Sequence, residues 1–237
     1  MAGAHRAIVL AAGMGTRLRA VSPSKPLTMV AGTPLIHRIL DNLAAAGITQ
    51  PAVITGYRGD QVGAAVQSWS ARTGLAVALL PNPAWDQPNG VSVRCAADWL
   101  GDADSLLVMA DHLASPGVYA TVAAAPLPAN GLVLGIDRRM GHPWADESDV
   151  TRVATRQGGI TAIGKGLATY DAHDCGVFRI SAGLMQALAG LAAPGLSDGV
   201  RLLAAAGRAR VVDISAHDWI DIDDPRALTQ AEAWVRQ

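Results

Sequence analysis

Residues 6–18 read RAIVLAAGMGTRL, an apolar run that passes directly into a loop with two glycines. We predict a strand over 6–12 followed by a phosphate-binding turn, because glycines let backbone N–H groups approach phosphate oxygens without a side chain in the way. A dinucleotide-binding motif would need glycine in place of Leu18, and a P-loop would need Gly-Lys-Ser or Gly-Lys-Thr, so the run matches neither motif and a dinucleotide-dependent oxidoreductase is disfavoured. Thr16 and Arg17 instead place a hydroxyl and a guanidinium after the glycines, which suits a triphosphate. A plain tight turn with a surface arginine is the alternative.

From this strand to about residue 110, apolar runs alternate with helical patterns. Thr33 and Pro34 are predicted to start a helix as its N-cap and first position, and Gly47 to end it. Strands that are apolar on both faces and alternate with helices predict a parallel sheet covered by helices. The further strands predicted in this half span 50–55, 75–80 and 106–110, and the further helices span 60–69 and 91–100.

After residue 130 the pattern changes to short segments rich in β-branched residues, which predict antiparallel additions to one side of the sheet. Helices are predicted from the N-caps Ser181, Ser197 and Asp224, with Gly207 ending the second and Pro225 opening the third. The strands predicted in this half span 133–136, 150–154, 160–163, 175–180, 210–214 and 219–222. The predicted fold class is therefore α/β: a single-domain, Rossmann-like three-layer sandwich with a mostly parallel central sheet plus antiparallel additions.

The composition narrows the functional classes. The chain has 237 residues, half of them hydrophobic, and a formal net charge of −1, which excludes a disordered chain and an overall basic surface for duplex nucleic acid. Cys95 and Cys175 fit neither a disulfide scaffold nor a zinc site. No signal peptide is predicted, and the uncharged stretch 113–136 contains three prolines that would break a membrane helix. We expect a cytoplasmic protein with no nucleic-acid partner and no membrane insertion.

Lysine is rare in this chain. Only Lys25 and Lys165 occur among the 19 basic Lys and Arg residues, which suggests positions that need a compact point charge rather than a planar guanidinium. Lys165 lies between Gly164 and Gly166, which allow a ligand to approach closely, although a lysine in a hairpin turn would look the same.

Three aspartates are candidate metal ligands. Asp111 follows the apolar strand predicted at 106–110, and strand carboxyl ends in a parallel sheet face the crevice where ligands bind, so Asp111 is a candidate Mg²⁺ ligand. A solvated strand-end aspartate is the alternative. Asp221 and Asp223 are two apart on a short predicted strand, which places both carboxylates on one side. Asp224, which precedes a proline, is better explained as a helix N-cap.

Two further sites in the sequence are candidates for hydrogen bonds to a ligand. Asn89, Gly90 and Ser92 form a loop and helix start whose amide and hydroxyl groups suit a nucleobase edge. His112 is a candidate hydrogen-bonding partner for a phosphate or an acceptor, with a structural histidine as the alternative.

The runs LAAGMGTRL at 10–18 and SKPL at 24–27 resemble the signature of the nucleoside-triphosphate transferase family, whose nucleotidyltransferases make sugar nucleotides and CDP-alcohols. Asp111-His112, Asn89-Gly90 and the run 174–176 look most like the cytidylyltransferases that act on inositol 1-phosphate, although Cys175 departs from the more usual threonine. The resemblance covers nearly the whole chain, continuing through TGY at 55–57, NGVS at 89–92, MADH at 109–112, IGK at 163–165, DCGVF at 174–178 and WIDID at 219–223.

The resemblance implies a GT-A-like nucleotidyltransferase fold and a role for each matching residue. Catalytic roles fall on Lys25, Arg17 and Lys165. The metal ligands would be Asp111 and Asp221, with Asp223 in reserve for the second. Acceptor binding falls on His112, Lys165, Asp174 and Gly176. Nucleotide binding falls on Leu10, Ala11, Ala12, Gly13, Met14, Gly15, Thr16, Arg17, Lys25, Asn89, Gly90, Ser92 and Asp111.

The expected reaction joins CTP and a phosphorylated alcohol to give a CDP-alcohol and pyrophosphate, with Mg²⁺ as cofactor. Residues 1–115 would bind the nucleotide and residues 130–237 the acceptor, and a homodimer is compatible with this reading. The alternatives are a cytidylyltransferase for phosphocholine or a phosphonate, a sugar-1-phosphate uridylyl- or thymidylyltransferase, and a nucleotide-binding protein without turnover.

The acceptor is expected to be a polyol phosphate of the inositol 1-phosphate type. Asp137, His173 and Asp174 lie near predicted strand ends, and carboxylates and imidazoles suit a ring of hydroxyls. A quaternary ammonium would need several aromatic faces around it. The aromatic residues of this half are mainly Trp144, Tyr170, Phe178 and Trp219, of which Phe178 is expected to point into the core.

Overall fold

The structure, a computed structural model, describes residues 3–15, 18, 22 and 24–237. The strands span Arg6–Ala11 (β1), Met29–Val30 (β2), Thr33–Pro34 (β3), Gln50–Thr55 (β4), Ala78–Pro81 (β5), Ser105–Met109 (β6), His112–Ala114 (β7), Leu132–Asp137 (β8), Arg152–Arg156 (β9), Gly159–Gly164 (β10), Ala172–Ile180 (β11), Ala209–Asp213 (β12) and Trp219–Asp221 (β13). The helices span Leu35–Ala45 (α1), Gly59–Thr73 (α2), Asn89–Arg94 (α3), Ala97–Leu100 (α4), Pro116–Ala124 (α5), Ala182–Ala189 (α6), Leu196–Ala205 (α7) and Pro225–Trp234 (α8), and Lys25–Leu27 form one 3-10 turn.

The central sheet has nine strands in the order β5-β4-β1-β6-β11-β8-β12-β10-β9. Strands β5, β4, β1 and β6 are parallel, as predicted for the first half. Strand β11 then runs antiparallel between β6 and β8, and β12 is parallel to β8. The α/β class is confirmed, and the sheet is mixed: all of its strands from the second half lie beyond β6, on one side of the parallel block, and most of their pairings are antiparallel.

A helical layer packs on each face of the sheet. In β1, Ala7 and Val9 belong to one core cluster, while Ile8 and Leu10 belong to the other. Successive side chains of a strand point to opposite faces, so a strand that is apolar at every position must be covered on both sides. One face is covered by α1, α2 and α5, and the other by α3, α6 and α7.

Several predicted boundaries are corrected. Thr33 does not cap a helix, because Thr33 and Pro34 pair with β2, and α1 begins one residue later. Ser197 is not an N-cap either: α7 begins at Leu196, and the Asp198 side chain accepts a hydrogen bond from the N–H of Gly195. The helix predicted over 91–100 is two short helices, α3 and α4, and the strand predicted from 75 begins at 78.

Other predicted boundaries are confirmed. Ser181 and Asp224 accept hydrogen bonds from the N–H groups of Gly183 and Ala227, as N-caps do. Among the residues described, none of the helices combines the length and the apolar composition needed to cross a membrane.

Candidate active site

A small antiparallel pair of strands beside the main sheet brings three acidic residues together. Strand β13 pairs with β7 so that Asp221 lies opposite His112. The backbone N–H of Ile222 donates to the carbonyl of Asp111, which extends the pairing by one bond. Asp111 in the turn after β6 and Asp221 and Asp223 at the end of β13 therefore meet, although they are more than 100 positions apart in the chain.

Lys25 lies in the middle of these carboxylates. Its Nζ is 2.7 Å from Asp111 Oδ2 and 3.6 Å from Asp221 Oδ1, and it forms a further ion pair with Asp223. The lysine is buried, and a Cβ on Gly15 would stand 2.7 Å from the Cβ of Lys25. The glycine loop thus leaves the space that the lysine side chain needs to reach the acidic residues.

The charges of this cluster shift its pKa values in opposite directions. Burial alone would raise the pKa of Asp111, but the positive charges of Lys25 and His112 outweigh it and lower the pKa to about 2. Burial alone would lower the pKa of His112, but the carboxylates of Asp221 and Asp111 raise it to about 9. Both interactions favour the charged form of each partner.

The predicted nucleotide-binding residues surround one cavity of about 150 Å³. Gly90 and Met14 are not among its lining residues; Gly90 instead packs on the backbone just before α7, where a Cβ would stand 2.6 Å from the carbonyl oxygen of Pro194. Thr16 and Arg17 lie outside the described residues. The predicted residues that line the cavity are Leu10, Ala11, Ala12, Gly13, Gly15, Lys25, Asn89, Ser92 and Asp111.

Asn89 and Ser92 are held by bonds to other elements. Asn89 Oδ1 accepts from the N–H of Leu196 at 2.8 Å, which joins the start of α3 to the start of α7. Ser92 Oγ accepts from Asn82 Nδ2 at 2.9 Å. These bonds fix the orientation of both side chains at the cavity wall.

A second cavity, of about 350 Å³, adjoins the first on the side of the C-terminal half. The predicted acceptor-binding residues His112, Lys165, Asp174 and Gly176 all line it. Lys165 Nζ is 2.5 Å from Asp149 Oδ1. Burial raises the pKa of Asp174 to about 6, and its Oδ1 accepts from the N–H of Gly176 at 2.7 Å.

Sequence reasoning missed the part of the second cavity's wall that is formed by the segment 138–151 and by α8. Trp144, Asp146 and Asp149 come from the segment, and Arg226 comes from the first turn of α8. Only the density of acidic residues at 146–149 could have pointed to the segment, because it has no strand or helix periodicity.

Two residues expected near the acceptor lie elsewhere. Asp137 is 3% exposed and accepts from Trp219 Nε1 at 2.9 Å and from the Arg139 guanidinium, so its carboxylate is used within the fold. His173 is 1% exposed, with its Nε2 3.3 Å from a carboxylate oxygen of Glu147. Strand-end position alone did not indicate that both side chains turn away from the cavity.

The acidic cluster has the donor set of a site for a hard divalent cation. Ligand atoms of Asp111, His112 and Asp221 lie within 4.8 Å of one another, as do those of Asp149, Asp221 and Asp223. Asp111 Oδ1 and Asp221 Oδ1 are buried without a hydrogen-bond partner among the described residues. Buried polar atoms are normally paired, and carboxylate oxygens are the ligands of hard cations, so these two atoms fit a bound metal ion.

Comparison with known protein families shows the family to which the chain belongs. Residues 7–159 match the MobA-like NTP transferase domain, and this match covers the first cavity, Asp111 and the segment 138–151. The chain belongs to this family. The match ends before Lys165 and β13.

Individual relatives cover more of the chain. It is 32% identical to the bifunctional IPC transferase and DIPP synthase of Rubrobacter xylanophilus in an alignment of 240 positions that covers 97% of the chain, and 32% identical over 96% of its length to the CMP-5'-(3-aminopropyl)phosphonate synthase of Streptomyces rubellomurinus. It spans 51% and 38% of these two proteins. The inositol-1-phosphate CTP transferase from T. maritima shares the fold, with a TM-score of 0.87, 20% identity, and coverage of 99% and 97% of the two chains.

Proposed function

We propose that this member of the MobA-like NTP transferase family is a cytidylyltransferase that joins CTP to a phosphorylated polyol of the inositol 1-phosphate type. The observation that carries the proposal is the shared wall of the two cavities: Asn89, Met109 and Asp111 line both. A nucleotide in the first cavity and a phosphorylated acceptor in the second would meet beside the acidic cluster. The IPC transferase named among the relatives supports this pairing of substrates.

In the proposed reaction an oxygen of the acceptor phosphate attacks the α-phosphorus of CTP. A new P–O bond forms, the bond from the α-phosphorus to the bridging oxygen breaks, and pyrophosphate leaves with the electron pair of that bond. The acceptor phosphate is already ionised, so the attack needs no general base. Catalysis then consists of positioning two anions and neutralising the charge that develops between them.

The position of each residue indicates the role that it would have in this reaction. The Lys25 ammonium lies at the junction of the cavities, where it would hold the triphosphate, and Arg17 is proposed to assist it. Lys165 lines only the second cavity and would bind the acceptor phosphate. We propose Mg²⁺ on Asp111 and Asp221, with Asp223 adjacent; when bound, it would neutralise phosphate oxygens. Residues 1–115 then act as the nucleotide half and residues 130–237 as the acceptor half.

The second cavity favours a polyol by its chemistry. Asp146, Asp149 and Asp174 offer carboxylate oxygens, which accept hydrogen bonds from hydroxyls. Trp144 and Trp219 add aromatic surfaces that suit the apolar face of a ring. The carboxylates differ from the polar groups expected from the sequence, since of Asp137, His173 and Asp174 only Asp174 lines the cavity, whereas Trp144 and Trp219 were both named there among the aromatic residues.

An acceptor with an amine is the second candidate, because one relative is named as an aminopropylphosphonate-utilising synthase. Carboxylates and tryptophans also suit a cation. We propose a cytoplasmic location for either reaction, which the two free cysteines support.

A two-way screen tests the proposal. Pyrophosphate release is measured with CTP, UTP, dTTP, ATP and GTP, each against inositol 1-phosphate, glucose 1-phosphate, phosphocholine and 2-aminoethylphosphonate. We expect the highest kcat/KM for CTP with inositol 1-phosphate. A preference of more than ~10-fold for either amine, about 1.4 kcal/mol in transition-state binding, would replace the polyol. Nucleotide binding without turnover for every pair would indicate a binding protein.

A further inference from the structure

We infer that His112 is a positioning residue that holds the Asp111 and Asp221 carboxylates in place for a divalent cation, and that it does not bind the acceptor. The inference rests on the proposed function, because it concerns the same metal-dependent site.

The contacts of the ring carry this inference. His112 Nδ1 is 2.9 Å from the carbonyl oxygen of Cys175 in β11. Its Nε2 lies between two carboxylates, 3.5 Å from Asp221 Oδ2 and 3.7 Å from Asp111 Oδ1. The ring therefore joins β11, the turn after β6, and the end of β13, which are the elements that build the site.

The ring has little freedom to turn toward a ligand. A Cβ on Gly176 would stand 2.3 Å from His112 Nδ1, so the backbone lies directly against the ring. On another side Trp219 stacks at a centroid distance of 5.5 Å and an angle of 20°. Trp219 is itself held by its bond to buried Asp137, and the His112 side chain is only 14% exposed.

The same contacts leave particular oxygen atoms available. On Asp221, His112 faces Oδ2, and Oδ1 is buried without a hydrogen-bond partner among the described residues. On Asp111, Lys25 takes Oδ2 at 2.7 Å, and Oδ1 likewise accepts no hydrogen bond from a described residue. Each Oδ1 lies near a basic nitrogen, 3.6 Å from Lys25 Nζ for Asp221 and 3.7 Å from His112 Nε2 for Asp111, but without a hydrogen bond, so a cation can bind there in place of these charge contacts. Groups that orient metal ligands typically contribute 10–100-fold to metal affinity.

Direct binding of Mn²⁺, followed by electron paramagnetic resonance without substrates, tests the inference on the full chain. We expect His112→Phe to weaken Mn²⁺ binding by ~10-fold or more, because the loss of carboxylate orientation outweighs the removal of the repulsive His112 charge. His112→Gln, which keeps an N–H donor, should recover part of the loss. The matched control is His5→Phe at an exposed histidine before β1. Circular dichroism checks folding, and His112→Ala replaces the Phe variant if that variant does not fold.

Three outcomes would overturn the inference. The first is unchanged Mn²⁺ affinity in His112→Phe and His112→Ala. The second is a directly coordinated imidazole nitrogen in the pulsed spectrum of bound Mn²⁺, which would make His112 a metal ligand. The third is a rise in the acceptor KM with metal affinity unchanged, which would make it an acceptor ligand. Failure of the proposed function looks different: Asp111→Asn would then also leave Mn²⁺ affinity unchanged.

Discussion

Lys25 is surrounded by the carboxylates that are proposed to bind the cation, and this placement gives it two opposing effects. Its charge would stabilise the developing charge of the reaction, so Lys25→Met is expected to lower kcat by at least ~10²-fold, the scale for one preorganised electrostatic group. The same charge repels a divalent cation, so the variant is expected to bind Mn²⁺ more tightly in the absence of CTP. Rapid-quench kinetics and an Mn²⁺ titration measure the two effects. Weaker Mn²⁺ binding in Lys25→Met would show that the lysine supports the metal site.

Asp111 lines both cavities, and its substitution is expected to abolish the reaction without preventing the chain from folding. Asp111→Asn keeps the size of the side chain, and Lys25 keeps its ion pairs with Asp221 and Asp223, so the variant should still fold, with a lower melting temperature because the buried ion pair of Lys25 with Asp111 is lost. Turnover in Mg²⁺ should be abolished and Mn²⁺ binding lost, because one carboxylate ligand becomes an amide. Near-normal turnover in a folded Asp111→Asn variant would contradict the metal assignment. Asp41→Asn, at an aspartate on α1 outside both cavities, is the control.

At the scale of elements, Gly176 decides where β11 passes the active site. Its φ is +75°, in the left-handed region, and a Cβ there would meet the His112 ring. Gly74, which ends α2 with φ +76°, is the matched control because no atom of the described residues lies within 4 Å of its Cβ position. Alanine at either position should cost about 1–2 kcal/mol through backbone strain. Thermal and urea unfolding measure this cost.

The second part of the Gly176 prediction concerns function. Only Gly176→Ala should also weaken Mn²⁺ binding and turnover, because only there is a site residue displaced. Equal activity of the two glycine variants would show that the ring tolerates movement.

Strands that are apolar on both faces were predictable from the sequence, whereas pairings between short strands that are far apart in the chain were not. Strand β4 was predicted at its observed bounds, because its apolar residues, which are buried on both faces of the sheet, can be recognised from the local sequence alone. The pairing of β7 with β13 depends on chain segments about 100 residues apart, and three-residue strands carry no periodicity. Thus the metal candidates Asp111, Asp221 and Asp223 were found one by one. Their convergence on Lys25 and the wall formed by Trp144, Asp146 and Asp149 could not be predicted.

At the scale of the whole molecule, the presence of two cavities predicts that mutations can weaken the binding of each substrate separately. Lys165 and Arg226 line the second cavity and not the first. Lys165→Ala should therefore raise the acceptor KM at least ~10-fold and leave the Kd for CTP unchanged, and Arg226→Gln should act in the same direction to a smaller extent, since glutamine keeps a hydrogen-bonding side chain. Steady-state kinetics and calorimetric CTP titration provide the measurements, with Arg236→Gln in the last turn of the chain as control. A weakened CTP affinity in Lys165→Ala would exchange the roles of the two lysines.

The two cavities share a wall, which is formed by Asn89, Met109 and Asp111. This shared wall also has a consequence for product release. In the proposed reaction the CDP-alcohol would form across that wall and fill both cavities at once, so it would behave as a bisubstrate ligand. It should inhibit competitively against CTP and against the acceptor alike, whereas pyrophosphate should compete with CTP alone. Accumulated product would then slow the enzyme directly, and flux through this step would depend on how fast the next enzyme removes the CDP-alcohol.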